Sequence, residues 1–158
     1  MIEINNKAKC CGCRACENIC PKQAVKMVYD SEGFLYPQVN KEECVDCSLC
    51  DKVCPVLHKA DYNEQLKLAY AAKVNDDSAR RVSTSGGVAY ALASYVLEND
   101  GVVFGVCYGD DMKVHHILVD SIDNLRKAQG SKYVQSDTEQ TYKQAKACLL
   151  YTSPSPRD

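Results

Sequence analysis

At 158 residues the chain has room for one or two domains. Its 19 Lys and Arg against 21 Asp and Glu leave a formal charge of −2, which argues against a nucleic-acid groove or an anionic membrane surface as partner. Met1 is followed at once by charged and polar residues, so no signal peptide is read, and the longest nearly apolar run, Gly86 to Leu97, is too short to span a bilayer.

In chain order, Ile2 to Ile4 alternates apolar and polar and reads as a short strand leading into a cysteine loop. Cys10, Cys13, Cys16 and Cys20 are followed by Pro21; Cys44, Cys47, Cys50 and Cys54, followed by Pro55, repeat the spacing at an offset of 34 residues. Three thiolates at three-residue spacing can cap three irons of one cubane. The fourth cysteine, beyond a short turn, points away and completes the other cluster. The expected ligand sets for two 4Fe-4S clusters are therefore Cys10, Cys13, Cys16 with Cys54, and Cys44, Cys47, Cys50 with Cys20. Structural zinc is the alternative, but zinc knuckles offer cysteines in pairs rather than in runs of three. Such thiolates must be kept reduced, which places the chain in the cytoplasm. Cys11 breaks the spacing and reads as a thiol beside the cluster rather than a ligand.

After Pro21, Lys22 to Ala24 can make one helical turn. Val25 to Tyr29 and Phe34 to Val39 read as strands around the hairpin signal Asp30-Ser31-Glu32-Gly33. Tyr29, Phe34 and Tyr36 read as packing over the clusters rather than as an electron relay. Residues 1–58 thus form a ferredoxin-like unit too small to bury much core, with the clusters as staples on which folding depends.

Lys59 to Gln65 is polar and charged, and 59–67 reads as a linker. Leu68 to Val74 reads as a strand and Asp76 to Arg81 as a polar turn or helical start. Val88 to Leu97 reads as a largely buried helix, with Val88, Leu92, Tyr95 and Val96 on one face and Ala89, Ala93 and Leu97 on another; Asn99-Asp100-Gly101 ends it. Val102 to Cys107 reads as a strand covered on both faces, with Cys107 in the core, and Val114 to Val119 as a returning strand. Asp123 to Ala128 reads as helix, Gly130 to Tyr133 as a loop, and Thr138 to Ala147 as a helix with Tyr142 and Ala145 inward. The whole is α+β: a ferredoxin-like domain at 1–58, then the beginning of an α/β domain at 68–147. His115 and His116, adjacent on a strand, point to opposite faces and cannot share a metal, and His58 stands alone.

The last eleven residues, Cys148 to Asp158, read CLLYTSPSPRD, which is the translation of a string resembling a transposase-type sequencing-library adapter. A natural Ser/Pro-rich tail is the alternative. The expectation is a non-native tail at 148–158, with the native protein continuing beyond Ala147 in unknown sequence.

A second candidate site is Ser83-Thr84-Ser85-Gly86-Gly87, directly before a helix. Glycines let backbone N–H groups approach a ligand closely, hydroxyls add donors, and a helix N-terminus favours a phosphate. Ser85 as a plain N-cap explains the same residues equally well. Lys132 and Tyr133, beside Gly130, offer a cation and a stacking face.

A dicluster unit followed by S-x-S-G-G and a helix, then GVVFG, then G-S-K-Y-V-Q-S, with GFLYPQV between the cysteine runs, resembles the coenzyme F420 hydrogenase/dehydrogenase beta-subunit family over residues 1–147. The resemblance implies a flavin, usually FAD, beside the clusters, with electrons passing from a partner subunit to the flavin and on to a deazaflavin or another small acceptor. It places Ser83, Ser85, Gly86 and Gly87 on the flavin-binding turn and Gly130, Ser131, Lys132 and Tyr133 on a second cofactor-lining loop. The family's G-T-P-C-Q-like motif, expected after Ala147, is missing. The expected function is an iron-sulfur oxidoreductase subunit; the other reading is a ferredoxin-type carrier whose α/β part only docks to a partner.

Overall fold

The computed structural model describes residues 1–58 and 68–152. The chain divides into two compact units, Met1–Gln65 and Leu66–Asp158. The expected linker at 59–67, and residues 153–158 of the expected tail, lie outside the described residues.

The first unit holds two short helices, α1 (Ala15–Ile19) and α2 (Leu49–Lys52), and a hairpin of β1 (Val25–Tyr29) and β2 (Leu35–Val39), paired antiparallel from Val25↔Val39 to Tyr29↔Leu35. Alternation sets its inner face, with Val25, Met27 and Leu35 buried. Asp30 ties the turn by accepting from the N–H groups of Glu32 and Phe34, and Pro37 is tolerated because a two-stranded sheet has free edges. The core joins these strands to Ile2, Cys16, Cys50 and Cys54.

Three local expectations differ here. Residues 2–4 form no strand among the described residues; the Ile2 N–H instead donates to the Cys50 sulfur at 3.2 Å. Lys22 to Ala24 is a turn closed by Gln23 N–H to the Cys20 carbonyl, with Gln23 at φ 53°, so it cannot propagate as a helix. Tyr29 and Phe34 stand exposed at the hairpin end and line neither cysteine cavity, and Tyr36 carries the Lys7 ammonium over its ring.

The second unit contains α3 (Asp77–Arg81), α4 (Val88–Glu98), the hairpin β3 (Val103–Tyr108) with β4 (Val114–Val119), α5 (Ile122–Ala128) and α6 (Thr141–Thr152). Asp76 caps α3 and Ser121 caps α5 through their side-chain oxygens. β3 and β4 pair antiparallel from Val103↔Val119 to Tyr108↔Val114, and Asp137 adds a single parallel bridge at His115. The core is Ala93, Val119 and Leu125, with Tyr90, Leu97, Val103, Ile117, Ile122 and Ala128 packed against it. Mixed helices and small antiparallel sheets thus make up both units.

Leu68 to Val74 is not a strand, because its polar groups find no ladder among the described residues; Val74 N–H reaches the Gly86 carbonyl, at 2.7 Å. α4 forms where its pattern predicts but is half covered. Its Ala93 and Leu97 side packs on the core, while Leu92 and Tyr95 remain 63% and 68% exposed. β3 is half-buried, Cys107 included, since a two-stranded hairpin gives it one neighbour and no second covering layer. On α6 the inner side carries Thr141, Ala145 and Cys148, spaced three and four apart, and Tyr142 turns outward. The helix runs on to Thr152 with no break at Ala147.

Candidate functional site

The two cysteine loops share one backbone design. Gly12 and Asp46, 34 residues apart, both take positive φ (62° and 50°), as do Arg14 and Ser48 (58° and 57°). Left-handed residues recurring within a short loop are the backbone element of anion-binding nests, an arrangement suited to an anionic cluster. α1 and α2 start directly after Arg14 and Ser48 with no side-chain cap.

The cysteines gather into two cavities. One is lined by Cys10, Cys11, Cys13, Cys16 and Cys54, with Ile2, Met27 and Pro37. The other is lined by Cys20, Cys44, Cys47 and Cys50, with Met1, Val25 and Leu49. The fourth cysteine of each run therefore lies with the first three of the other run. No cysteine is in a disulfide. Ala24 N–H donates to the Cys20 sulfur at 3.3 Å, Ile2 N–H to Cys50, and the N–H groups of Ala15 and Glu17 to Cys13 and Cys16. Burial raises Cys13 and pushes Cys16 up to about 12 in spite of those donors, so without iron these thiols hold their protons and metal must displace them. Among the described residues no three His, Cys, Asp or Glu gather tightly enough for a single ion; a polynuclear core spreads its thiolates more widely. Four thiols, backbone donors to sulfur and an apolar wall fit a cubane in each cavity.

Glu17 braces the first cavity from behind. Its carboxylate takes the Arg14 guanidinium at 2.6 Å and the Met27 N–H at 3.0 Å, locking α1 to β1.

A third cavity, of about 430 Å³, lies in the second unit. Its walls include Ser83, Thr84, Ser85, Gly86 and Gly87, the first turn of α4, and Gln129, Gly130 and Ser131 after α5. The turn before α4 is held by Ser83, whose hydroxyl donates to the Ala79 carbonyl, and by the Val74–Gly86 bond. Gly87, not Ser85, is the N-cap of α4; at φ 78° it offers no side chain to the first helical N–H groups. Those donors and the helix dipole meet the cavity. Gln129, which the sequence reading passed over, lines the same wall, and its buried Nε2 has no hydrogen-bond partner. No sequence pattern signals it, because its role follows from where α5 ends.

Lys132 and Tyr133 fall outside that cavity. The Lys132 ammonium donates to the carbonyls of Ala128 and Gln129, satisfying the C-terminal end of α5. It lines an adjoining cavity of about 320 Å³ with Cys107, Tyr108 and Lys127. Tyr133 is 90% exposed and lines neither. The three histidines stand apart from these cavities: His115 lies between Asp111 and Glu139, and His116 meets the Ser136 hydroxyl on the opposite face.

Twin thiol cavities in the first unit, and a cofactor-sized cavity at an uncapped helix start in the second, suggest an iron-sulfur protein of the electron-transfer oxidoreductase class. Comparison with protein families agrees: residues 9–57 match the 4Fe-4S dicluster domain. Residues 69–143 match "Coenzyme F420 hydrogenase/dehydrogenase, beta subunit N-term", to which the second unit is thus similar over most of its length. No curated protein matches the chain. Among the described residues no helix is long and apolar enough to cross a membrane.

Proposed function

We propose that the chain is a cytoplasmic subunit that passes electrons between two 4Fe-4S clusters and a flavin, FAD, for exchange with a deazaflavin or another small acceptor. Cys10, Cys13, Cys16 and Cys54 hold one cluster; Cys44, Cys47, Cys50 and Cys20 hold the other. The family name describes a beta subunit, and a partner protein is the source or sink of the single electrons. When bound, the clusters carry electrons singly, and a flavin joins that traffic to two-electron hydride chemistry.

One observation carries the flavin part of this reading. The Ser83–Gly87 turn and the Gly130–Ser131 loop, some 45 residues apart in the chain, converge on one cavity at the uncapped start of α4. Its volume suits a cofactor. The N–H groups of Val88 to Tyr90 hold a phosphate, Ser85 adds a hydroxyl, Ser83 fixes the turn through its bond to the Ala79 carbonyl, and the Gln129 amide donates to a carbonyl or phosphate oxygen.

The test compares iron and flavin content of the anaerobically prepared protein with those of Gln129→Leu, a swap of similar size that deletes the amide. Less flavin at full iron is the expected result. Gly86 is a poor probe, because a Cβ there would lie 2.4 Å from the Ala72 carbonyl oxygen and distort the turn. Equal flavin in both proteins refutes this site, and no flavin in either leaves a ferredoxin-type carrier.

A further inference from the structure

The two cysteine loops repeat each other in spacing and in their left-handed positions, so their differences mark what each does alone. Exposure differs first. Gly12 and Ala15 of the first loop are buried and Cys13 is half-buried, whereas their counterparts at the 34-residue offset, Asp46, Leu49 and Cys47, are exposed. The outer side of the second loop is apolar as well as open. Val45 is 58% exposed and Leu49 is exposed beside it, and both line the cavity of Cys20, Cys44, Cys47 and Cys50. Charge differs next. Residues 7–18 carry Lys7, Lys9 and Arg14 against Glu17, while residues 41–52 carry Lys41 and Lys52 against Glu42, Glu43, Asp46 and Asp51. The N-terminal ammonium, 2.9 Å from Asp46, and Lys22 on the cavity wall offset that excess. An occupied cavity restores it, because a cluster held by four thiolates is anionic. Glu42 and Glu43, both exposed, stand where the first loop has Ala8 and Lys9.

We propose that the outer face of the second loop, Val45 and Leu49 with Glu42 and Glu43 at its edge, is the docking surface for a one-electron carrier protein whose apolar contact patch is rimmed by Lys and Arg. The proposal rests on the reading that the second cavity holds a cluster. One electron crosses at this face: the partner loses it and the cluster gains it, or the reverse, with no bond made or broken. Apolar side chains between cluster and solvent, with a charged edge, are what a redox encounter needs, since such contacts are small and short-lived. The carboxylates steer and orient the partner, and the apolar centre makes the contact. The first loop, closed over its cavity and cationic, offers that partner neither.

The experiment reduces the cluster-loaded full chain anaerobically and follows its oxidation by stopped flow. The probes are cytochrome c, a basic haem protein, and cytochrome b5, an acidic one, each compared with itself across salt concentration. The rate with cytochrome c should fall as salt rises, and the rate with cytochrome b5 should not. Glu42→Gln with Glu43→Gln should slow cytochrome c roughly fivefold at low salt, at unchanged iron content. Lys9→Gln, at the matching place on the first loop, should leave the rate alone. Carbodiimide cross-linking of the oxidised chain to ferric cytochrome c, mapped by mass spectrometry, should join it through Glu42 or Glu43 rather than Glu3, Glu17 or Glu32. An unchanged rate in the double variant overturns the proposal, as do cross-links confined to other carboxylates. A rate with cytochrome c that ignores salt also overturns it, by showing that another part of the chain covers the loop. If the unaltered chain takes up no clusters, the functional reading itself falls and this proposal with it.

Discussion

Gly87 and Gly130 provide a matched pair of perturbations on the walls of the 430 Å³ cavity. Both sit at positive φ, 78° and 83°, where an L side chain costs about 1–2 kcal/mol of backbone strain. Their surroundings differ. A Cβ on Gly130 meets nothing within 4 Å, whereas one on Gly87 would lie 2.6 Å from Val74 Cγ1 and 3.3 Å from Ser83 Oγ. Gly130→Ala should therefore cost the strain alone, about 1 kcal/mol. Gly87→Ala adds an overpacking penalty of about 1–3 kcal/mol, for a total near 3 kcal/mol. Urea unfolding of the cluster-loaded protein under anaerobic conditions, followed by far-ultraviolet circular dichroism, measures both. Equal losses for the two variants refute the assignment of Gly87 to close packing between the turn and Val74. A gain for Gly130→Ala refutes its left-handed conformation.

Cys20→Ser should deplete the cluster of Cys44, Cys47 and Cys50, and Cys54→Ser the cluster of Cys10, Cys13 and Cys16; resonance spectra of the two variants losing the same signal would sink the crossed arrangement. His115, raised above its ordinary value by hydrogen bonds to Asp111 and then Glu139, contributes stability that is full below about pH 6.5 and is lost as pH rises through its folded value. Asp111, lowered by the Lys113 N–H and then by His115, behaves oppositely: its contribution is present above its ordinary 3.8 and is lost as pH falls through the folded value. His115→Gln should therefore flatten the decline of urea midpoint between pH 6 and 8, and an unchanged slope shows that the pair does not contribute. Val119→Ala, at the most buried side chain among the described residues of the second unit, should cost roughly 2 kcal/mol by lost transfer energy and cavity formation, read from the same urea curves.

The cysteine runs were the most legible part of the chain because their chemistry is local: spacing alone decides which sulfurs a short loop can present together. β1, β2 and their Asp30 turn were legible for the same reason. Burial was harder. The apolar sequence of α4 predicts a helix, and one forms, but periodicity cannot say whether a second layer exists to cover Leu92 and Tyr95. The same gap made β3 look doubly covered and turned Tyr142 inward in expectation. Leu68 to Val74 has strand-like residues, yet strand formation depends on a neighbour that composition does not reveal. At the cofactor cavity the turn and loop were readable as glycine and hydroxyl patterns. Which residue caps α4, and that the Gln129 amide reaches the same wall, follow from how segments meet.

Three residues of the cysteine loops, Arg14, Asp46 and Ser48, hold left-handed backbone without being glycine. Each conformation costs about 1–2 kcal/mol of backbone strain. Two of the three side chains also make contacts that glycine could not: Arg14 with Glu17 at 2.6 Å and Asp46 with the N-terminal ammonium at 2.9 Å. Glycine at all three positions would relieve the strain, remove both ion pairs and widen the range of backbone shapes open to each loop before metal is bound. The charged side chains thus hold the thiols in a loading geometry that a looser glycine loop would have to find anew each time.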